Sequence, residues 1–343
     1  MPRRPPAVAR VLQRVSRTIR EHEMFGPGDL VVVSCSGGPD SVCLLYSLWH
    51  LRRLFKIRLA VFHFDHKLRP DSARDALYVR RLAERLKLPF HLREAEGGPR
   101  KGMSVEAWAT VARMNAANDL RREIGGKATA EGHTLSDQAE TVLLNLIRGS
   151  GLSGIAGIDP GHGERTRLVQ PLFDVERAEV EAFCRALHLR PRRDPMNEDR
   201  RYLRAAIRHG VLPVLEEMTG RGVSRSIART ADLLRRDRDE LAAGAVIAYR
   251  DTVDGERGSS VRFDTAKLRS LPPPIASRVI RLAVYNVLSG DWDEPWSKNA
   301  VEAVLDLARG RPGRRRDISG GLKAVREKKY VHVSRSSPPS PES

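Results

Sequence analysis

Residues 30–34 read Leu-Val-Val-Val-Ser, and the chain runs on through Cys35 into Ser36-Gly37-Gly38-Pro39-Asp40-Ser41 before a helical pattern begins. A short unbroken apolar run belongs to a strand buried on both faces, as in a parallel sheet covered by helices. Two glycines followed by a proline at the first helical position mark a sharp turn from strand to helix. Such a turn opens amides toward one point at the helix N-terminus, where the macrodipole also favours an anion. Ser36 and Ser41 add hydroxyl donors, so residues 36–41 read as a phosphate site. An ordinary Gly-Pro turn would account for the glycines, but not for two serines and an acid at fixed spacing. The loop holds no lysine, which excludes the Walker pattern Gly-x4-Gly-Lys-Ser/Thr.

The same alternation continues along the chain. Apolar runs at 59–64, 89–92 and 127–132 predict three further strands. Between them come helices over 40–54 and over 72–86, the second with Ser72 and Asp75 as a capping box. Ser104 opens a helix carrying Trp108, Val111, Ala112, Ala116 and Leu120, and Thr134 with Asp137 caps another carrying Ala139, Val142, Leu143, Leu146 and Ile147. This order predicts an α/β fold with a doubly wound, mostly parallel sheet. Val8, Val11, Leu12, Val15 and Ile19 fall at helical spacing, so the basic N-terminal stretch reads as a surface helix rather than a transit peptide. After Pro213 the pattern changes. Residues 225–249 read as one long Arg-rich helix, Pro272-Pro273-Pro274 interrupts, and Ser297 opens a helix stopped near Gly310. Residues 329–333 read as a last strand, and the Ser/Pro-rich tail as disordered. The expected division is a catalytic α/β domain over 1–215, a helical domain over 216–310, a small basic β element over 311–335, and a tail over 336–343.

Composition narrows the function. Lys and Arg total 60 against 43 acids, a net charge of +17. Such an excess favours a polyanionic partner, since phosphate contacts release condensed counterions. Arg309, Arg311, Arg314, Arg315 and Arg316 crowd a Gly/Pro loop that fits RNA phosphates, or else a merely solvated surface. Aromatic residues are only 5%, too few for broad base-stacking platforms. The three cysteines, Cys35, Cys43 and Cys184, form no Cys-x-x-Cys, which argues against a disulfide scaffold, a zinc ribbon or a dithiol centre. No apolar run approaches the roughly eighteen residues of a membrane span, and the expected location is cytoplasmic. Gly149-Ser-Gly151-Leu-Ser-Gly154 matches a dinucleotide fingerprint but follows a helix, so it is not read as a cofactor site. His63 and His66, at the C-terminal end of the second strand, read as polar lining rather than a metal pair. Asp137 and Glu140 share one side of a helix start, where acids are favoured with or without a function.

Ser36 to Ser41 resembles the SGGxDS motif of the PP-loop ATP pyrophosphatases. The wider string is similar to the tRNA(Ile)-lysidine synthases: Val61-Phe-His-Phe-Asp-His-Lys-Leu-Arg69, Gly132-His-Thr-Leu-Ser-Asp-Gln-Ala-Glu-Thr141, Arg148-Gly-Ser-Gly-Leu152, Gln170-Pro-Leu172, Asp194-Pro-Met-Asn-Glu-Asp199, Tyr202-Leu-Arg204 to Arg208, and Leu212-Pro213. The resemblance implies the adenine nucleotide alpha-hydrolase-like fold and an enzyme that adenylates the C2 oxygen of the wobble cytidine in a CAU-anticodon isoleucine tRNA. Free L-lysine then attacks C2 and expels AMP. By the same resemblance Ser36, Gly37, Gly38, Pro39, Asp40, Ser41, His63 and His133 bind ATP, Asp40 holds Mg2+, and Asp40, Arg69, Asp137, Glu140 and Arg204 serve catalysis. Asp137 and Glu140 would receive the lysine ammonium or hold the metal; Arg208 would join Arg204 or belong to a solvated face. Two positions depart from the family pattern, Thr110 where an arginine is usual and Ser136 where an acid is usual. Thiolation of tRNA and a weakened tRNA-binding paralogue are the competing readings, and a homodimer is left open.

Overall fold

Val31 and Val33 point to one side of the first strand and Val32 to the other, and all three are fully buried. The computed structural model describes residues 4–69, 71–99, 102–161, 167–192, 203–220, 222–257, 260–287, 298–318 and 321–335. The chain divides into two compact units, Met1–Leu234 and Arg235–Ser343.

The first unit runs α1 (Pro6–Glu21), β1 (Leu30–Ser34), α2 (Pro39–Phe55), β2 (Arg58–Asp65), α3 (Ser72–Leu86), β3 (Phe90–Glu94), α4 (Val105–Glu123), β4 (Ala128–Ala130), α5 (Leu135–Ile147), α6 (Leu152–Ile155), β5 (Leu168–Val169) and α7 (Arg177–Ala186). After these come α8 (Leu203–Ala206), a π-helical turn (Ile207–Val211), α9 (Leu212–Thr219) and the start of α10 (Val223–Thr252). The five strands are parallel, in the order β3-β2-β1-β4-β5. One face of the sheet buries Val31, Val33, Leu59 and Val61 against α1, α2, α3 and α7. The other buries Val32, Phe62 and Phe64 against Ala117 and Leu120 of α4. Helices therefore cover both faces, and the fold is doubly wound α/β. The sheet order reverses between β1 and β4, so the loops after these two strands flank the crevice where such sheets bind ligands.

Local signals hold in part. Ser104 accepts from the Ala107 amide at 3.2 Å, and Thr134 with Asp137 forms the expected capping box. The Ser72–Asp75 box does not form. Asp71 is the N-cap of α3, its side chain makes no capping bond, and the Asp75 carboxylate is drawn instead to Arg69 and Arg192. Strand β5, two residues long, is too short for any periodicity to announce it.

In the second unit, after α10, come β6 (Val253–Arg257), β7 (Ser260–Asp264), α11 (Thr265–Ser270), α12 (Pro273–Val287), α13 (Lys298–Arg309), β8 (Arg315–Ile318), β9 (Leu322–Arg326) and β10 (Tyr330–Arg335). The strands form an antiparallel sheet in the order β6-β7-β10-β9-β8. Val261, Phe263, Ala324, Val331 and Val333 pack against α12 and α13 in one core. The β6–β7 hairpin lies in a stretch that the sequence read as helical. Arg315 and Arg316 belong to the edge strand β8, paired with Val325 and Ala324, rather than to a loop. Charges on an edge strand discourage pairing with other chains. Among the described residues no helix is long and apolar enough to cross a membrane. The Asp194–Asp199 string, Tyr202, Ser297 and the 336–343 tail lie outside the described residues.

Candidate active site

The loop between β1 and α2 is built around Ser41. Its hydroxyl accepts from the Gly37 amide at 3.1 Å, donates to the Gly38 carbonyl at 3.0 Å and lies 3.2 Å from the Ser36 hydroxyl. Gly37 has φ +94°, a left-handed conformation that favours glycine. Pro39 opens α2 and leaves the Asp40 and Ser41 amides among the helix's first orphan donors. Gly132, just past β4, presses on this turn: a Cβ there would lie 3.1 Å from the Asp40 carbonyl carbon and 3.2 Å from the Ser41 nitrogen. The close approach brings the two loops of the crevice together.

Beside the loop, five side chains from three segments interlock. The Asp137 Oδ2 is used up locally, accepting from the Thr134 amide at 2.9 Å and hydroxyl at 2.7 Å. Its Oδ1 accepts from Arg177 at 3.0 Å and Arg208 at 3.3 Å, with Arg204 at 3.5 Å. Glu140, almost fully buried, accepts from Arg177 at 3.3 Å, from Arg204 at 3.1 Å, and from Arg208 at 2.7 and 2.8 Å. Burial alone would raise the Asp137 carboxyl, but Arg177, His133, Arg204 and the Thr134 hydroxyl outweigh it and hold the group down at about 2. Arg208 sits on the π-helical turn, where Pro213 has no N–H to return to the preceding turn and the helix widens.

Asp40 is different. It is half-buried, yet its Oδ1 is shut off from solvent and has no hydrogen-bond partner. Burial, then the nearby Asp137 charge, pushes its carboxyl up to about 6 against the pull of Arg177 and Arg208. An orphaned carboxylate oxygen at an anion-binding helix start is a donor of the hard type that Mg2+ takes, together with substrate phosphates. Among the described residues no cluster of three His, Cys, Asp or Glu side chains forms a metal cage.

His63 stands behind the loop, its Nδ1 donating to the Cys35 carbonyl at 2.8 Å; burial lowers its pKa and keeps the ring neutral. His66 lies edge-on to Phe64 with 4.7 Å between ring centroids. His133 faces the buried Glu131 at 3.7 Å, and Glu131 also pairs with Arg113. Arg113 thus supplies a guanidinium at the C-terminal end of β4, whereas Thr110 is exposed. Ser136 accepts from the Arg177 amide at 3.2 Å, satisfying an orphan donor of α7. Arg69 pairs with Asp75 at 2.7 Å, away from the Asp137–Glu140 cluster. The structure therefore brings together Asp40, Asp137, Glu140, Arg204 and Arg208, whereas His63, His133 and Arg69 sit on separate partners, the Cys35 carbonyl, Glu131 and Asp75. Arg177, Glu131, Asp75 and Arg192 escaped the sequence reading of the site. For Arg177 there was a signal: a cation opening a helix opposes the macrodipole and needs a partner.

The three cysteines are free and buried. Burial pushes Cys35 up to about 11 and Cys184 up to about 12, and raises Cys43 strongly. They are small interior side chains rather than thiolate nucleophiles.

The chain matches the family model of the PP-loop domain over residues 10–215. It is 38% identical over 307 residues to the tRNA(Ile)-lysidine synthase of Symbiobacterium thermophilum, covering 87% of this chain and 63% of that protein. It is 35% identical over 323 residues to the tRNA(Ile)-lysidine synthase of Cutibacterium acnes, covering 94% of this chain and 95% of that one. The chain thus spans less than two thirds of the first relative and nearly all of the second. A solved U34-tRNA thiolase from Methanococcus maripaludis shares the fold, with a TM-score of 0.56 and 19% identity over 66% of this chain and 80% of that chain.

Proposed function

This chain belongs to the tRNA(Ile)-lysidine synthase family of PP-loop proteins, and on that premise we propose that it uses ATP to join lysine to the wobble cytidine of a CAU-anticodon isoleucine tRNA. The cytidine O2 attacks the α-phosphorus of ATP, the bond to the β-phosphate oxygen breaks, and pyrophosphate leaves. The lysine ε-amine then attacks C2, the C2–O bond breaks, AMP leaves with the electron pair, and the amine gives up a proton.

The observation that carries this reading is an anion-binding helix start whose Asp40 feels the Arg177 and Arg208 guanidiniums, both anchored, with Arg204, on Asp137 and Glu140. Charge growing on the departing pyrophosphate is met by the Asp40 and Ser41 amides and the α2 dipole. Arg177, Arg204 and Arg208 supply positive charge beside the reacting phosphate without reorganising, because Asp137 and Glu140 already hold them. With both carboxylates spanned by guanidiniums, their part here is to fix the arginines rather than to receive the lysine ammonium. Asp40 would hold Mg2+, which neutralises charge on the phosphate oxygens of bound ATP. His63, kept neutral by burial, holds the Cys35 carbonyl that leads into the loop, and His133 and Arg69 would contact the bound nucleotide. The basic surface of the chain answers to the tRNA backbone. Buried, protonated cysteines disfavour the thiolation alternative.

The test is incorporation of labelled lysine, with AMP followed in parallel, into a CAU-anticodon isoleucine tRNA and the methionine tRNA sharing that anticodon. One AMP per lysine, in the isoleucine tRNA alone, supports the reading. AMP without lysine points to another nucleophile. Tight tRNA binding with no AMP leaves the weakened paralogue. Sedimentation of the same preparation decides whether it is a homodimer.

A further inference from the structure

The phosphate loop carries no lysine, so the cations that meet a triphosphate must come from elsewhere in the chain. One source lies outside the Asp137–Glu140 cluster. The carboxylate of Asp75, in the first turns of α3, bridges two guanidiniums: its Oδ2 accepts from Arg69 at 2.7 Å and its Oδ1 pairs with Arg192. This bridge stands at the loop itself. The Arg192 amide donates to the Gly37 carbonyl at 2.9 Å. Tyr78 and Val79, one helical turn beyond Asp75, both face Gly37, and a Cβ there would lie 3.3 Å from the Tyr78 ring. Asp75 therefore occupies the face of α3 that packs on the loop. It leaves its expected capping role unfilled and spends one oxygen on Arg69, just ahead of its own helix, and the other on Arg192, from the segment after α7.

We propose that Asp75 is a positioning residue that holds Arg69 and Arg192 together beside Gly37 as a paired guanidinium site for the β- and γ-phosphates of ATP. Two guanidiniums brought close repel one another, and a shared carboxylate removes that cost while leaving the group one net positive charge. Both forks then stand in fixed geometry before a phosphate arrives, where bidentate pairing is strongest. This rests on the reading of residues 36–41 as the ATP phosphate loop.

The experiment compares Mg·ATP and AMP binding by calorimetry for the full chain and for Asp75→Asn, Asp75→Glu, Arg192→Ala and the Asp75→Asn/Arg192→Ala pair, with thermal midpoints alongside. Asp75→Asn is expected to raise the Kd for ATP about tenfold and to leave that for AMP unchanged. Asp75→Glu should restore most of the loss, and adding Asp75→Asn to Arg192→Ala should cost less than Asp75→Asn alone. Equal losses for ATP and AMP would mean that Asp75 only supports the fold, and no loss for ATP would also overturn the proposal. A wild-type chain that binds ATP no tighter than AMP would instead sink the phosphate-loop reading itself.

Discussion

Replacing Asp40 with asparagine should make the protein more stable and inactive at once. The carboxyl sits at about 6 in the folded chain against an ordinary 3.8. Each pKa unit is worth about 1.4 kcal/mol, so keeping Asp40 ionised in the fold costs about 3 kcal/mol. For an acid raised on folding, the native chain holds its proton where the unfolded chain has already lost it. Stability therefore falls as pH rises from about 4 to about 6, and the whole cost is present above that window. Asparagine keeps the shape and removes the charge.

The assay is thermal unfolding of wild type and Asp40→Asn from pH 4 to pH 8, following the transition of the unit that holds the loop. At pH 8 the variant should be the more stable by about 2–3 kcal/mol, which is about 5–10 °C for a unit of this size. The gap should close toward pH 4, where both side chains are neutral. Mg·ATP should stabilise wild type more than the variant, because only the carboxylate offers a cation site. A variant no more stable than wild type at pH 8, or a gap unchanged at pH 4, would refute the argument that burial of an unpartnered carboxylate is the dominant effect.

Other perturbations follow from the same geometry. Glu140→Gln leaves three guanidiniums facing Asp137 alone and should destabilise the first unit by about 3–5 kcal/mol, read as a lower urea midpoint, with AMP formation lost. Gly132→Ala drives a Cβ into the Asp40 and Ser41 backbone, which has little room to yield; a loss of about 1–3 kcal/mol and a raised KM for ATP are expected, measured by unfolding and by AMP release. Ser136→Ala removes the acceptor of the Arg177 amide and should cost about 1 kcal/mol, whereas Ser136→Asp should restore it, since a carboxylate also suits a helix N-terminus. Asp137, held at about 2, adds stability that is present above about 4 and lost as pH falls toward 2; Asp137→Asn should flatten that acid limb of the unfolding profile.

How far the sequence carried the fold follows from the range of each interaction. Leu30–Ser34, the turn after it and the Thr134–Asp137 cap are local, and all three are present as read. The cap carried a consequence that spacing alone did not reveal. An aspartate whose Oδ2 closes a capping box has one oxygen left, and three arginines lie around it. Those arginines come from α7, α8 and the π-helical turn, and no periodicity marks a partner forty or seventy residues away. Asp75 failed as a cap because two guanidiniums outside the helix, the nearby Arg69 and the far-off Arg192, hold its carboxylate. The β6–β7 hairpin went unread because its strands are short and gain their meaning only from β10, far along the chain.

The placement of charge explains why this loop functions in the proposed reading without a lysine of its own. A lysine within the loop would be local, flexible and present whenever the loop formed. Here the guanidiniums arrive from the segment after β2, from α7 and from the stretch that follows, and carboxylates hold each of them: Asp75 for two, Asp137 and Glu140 for three. Side chains fixed in this way have already lost their rotamer freedom in the folded chain, so a triphosphate binding to them does not bear that cost. Completeness of the site then depends on the whole first unit being folded, because no single segment carries more than a part of it. If ATP binds the folded unit and not its fragments, as proposed, linkage requires saturating nucleotide to raise the unfolding temperature of the entire unit rather than of the loop alone.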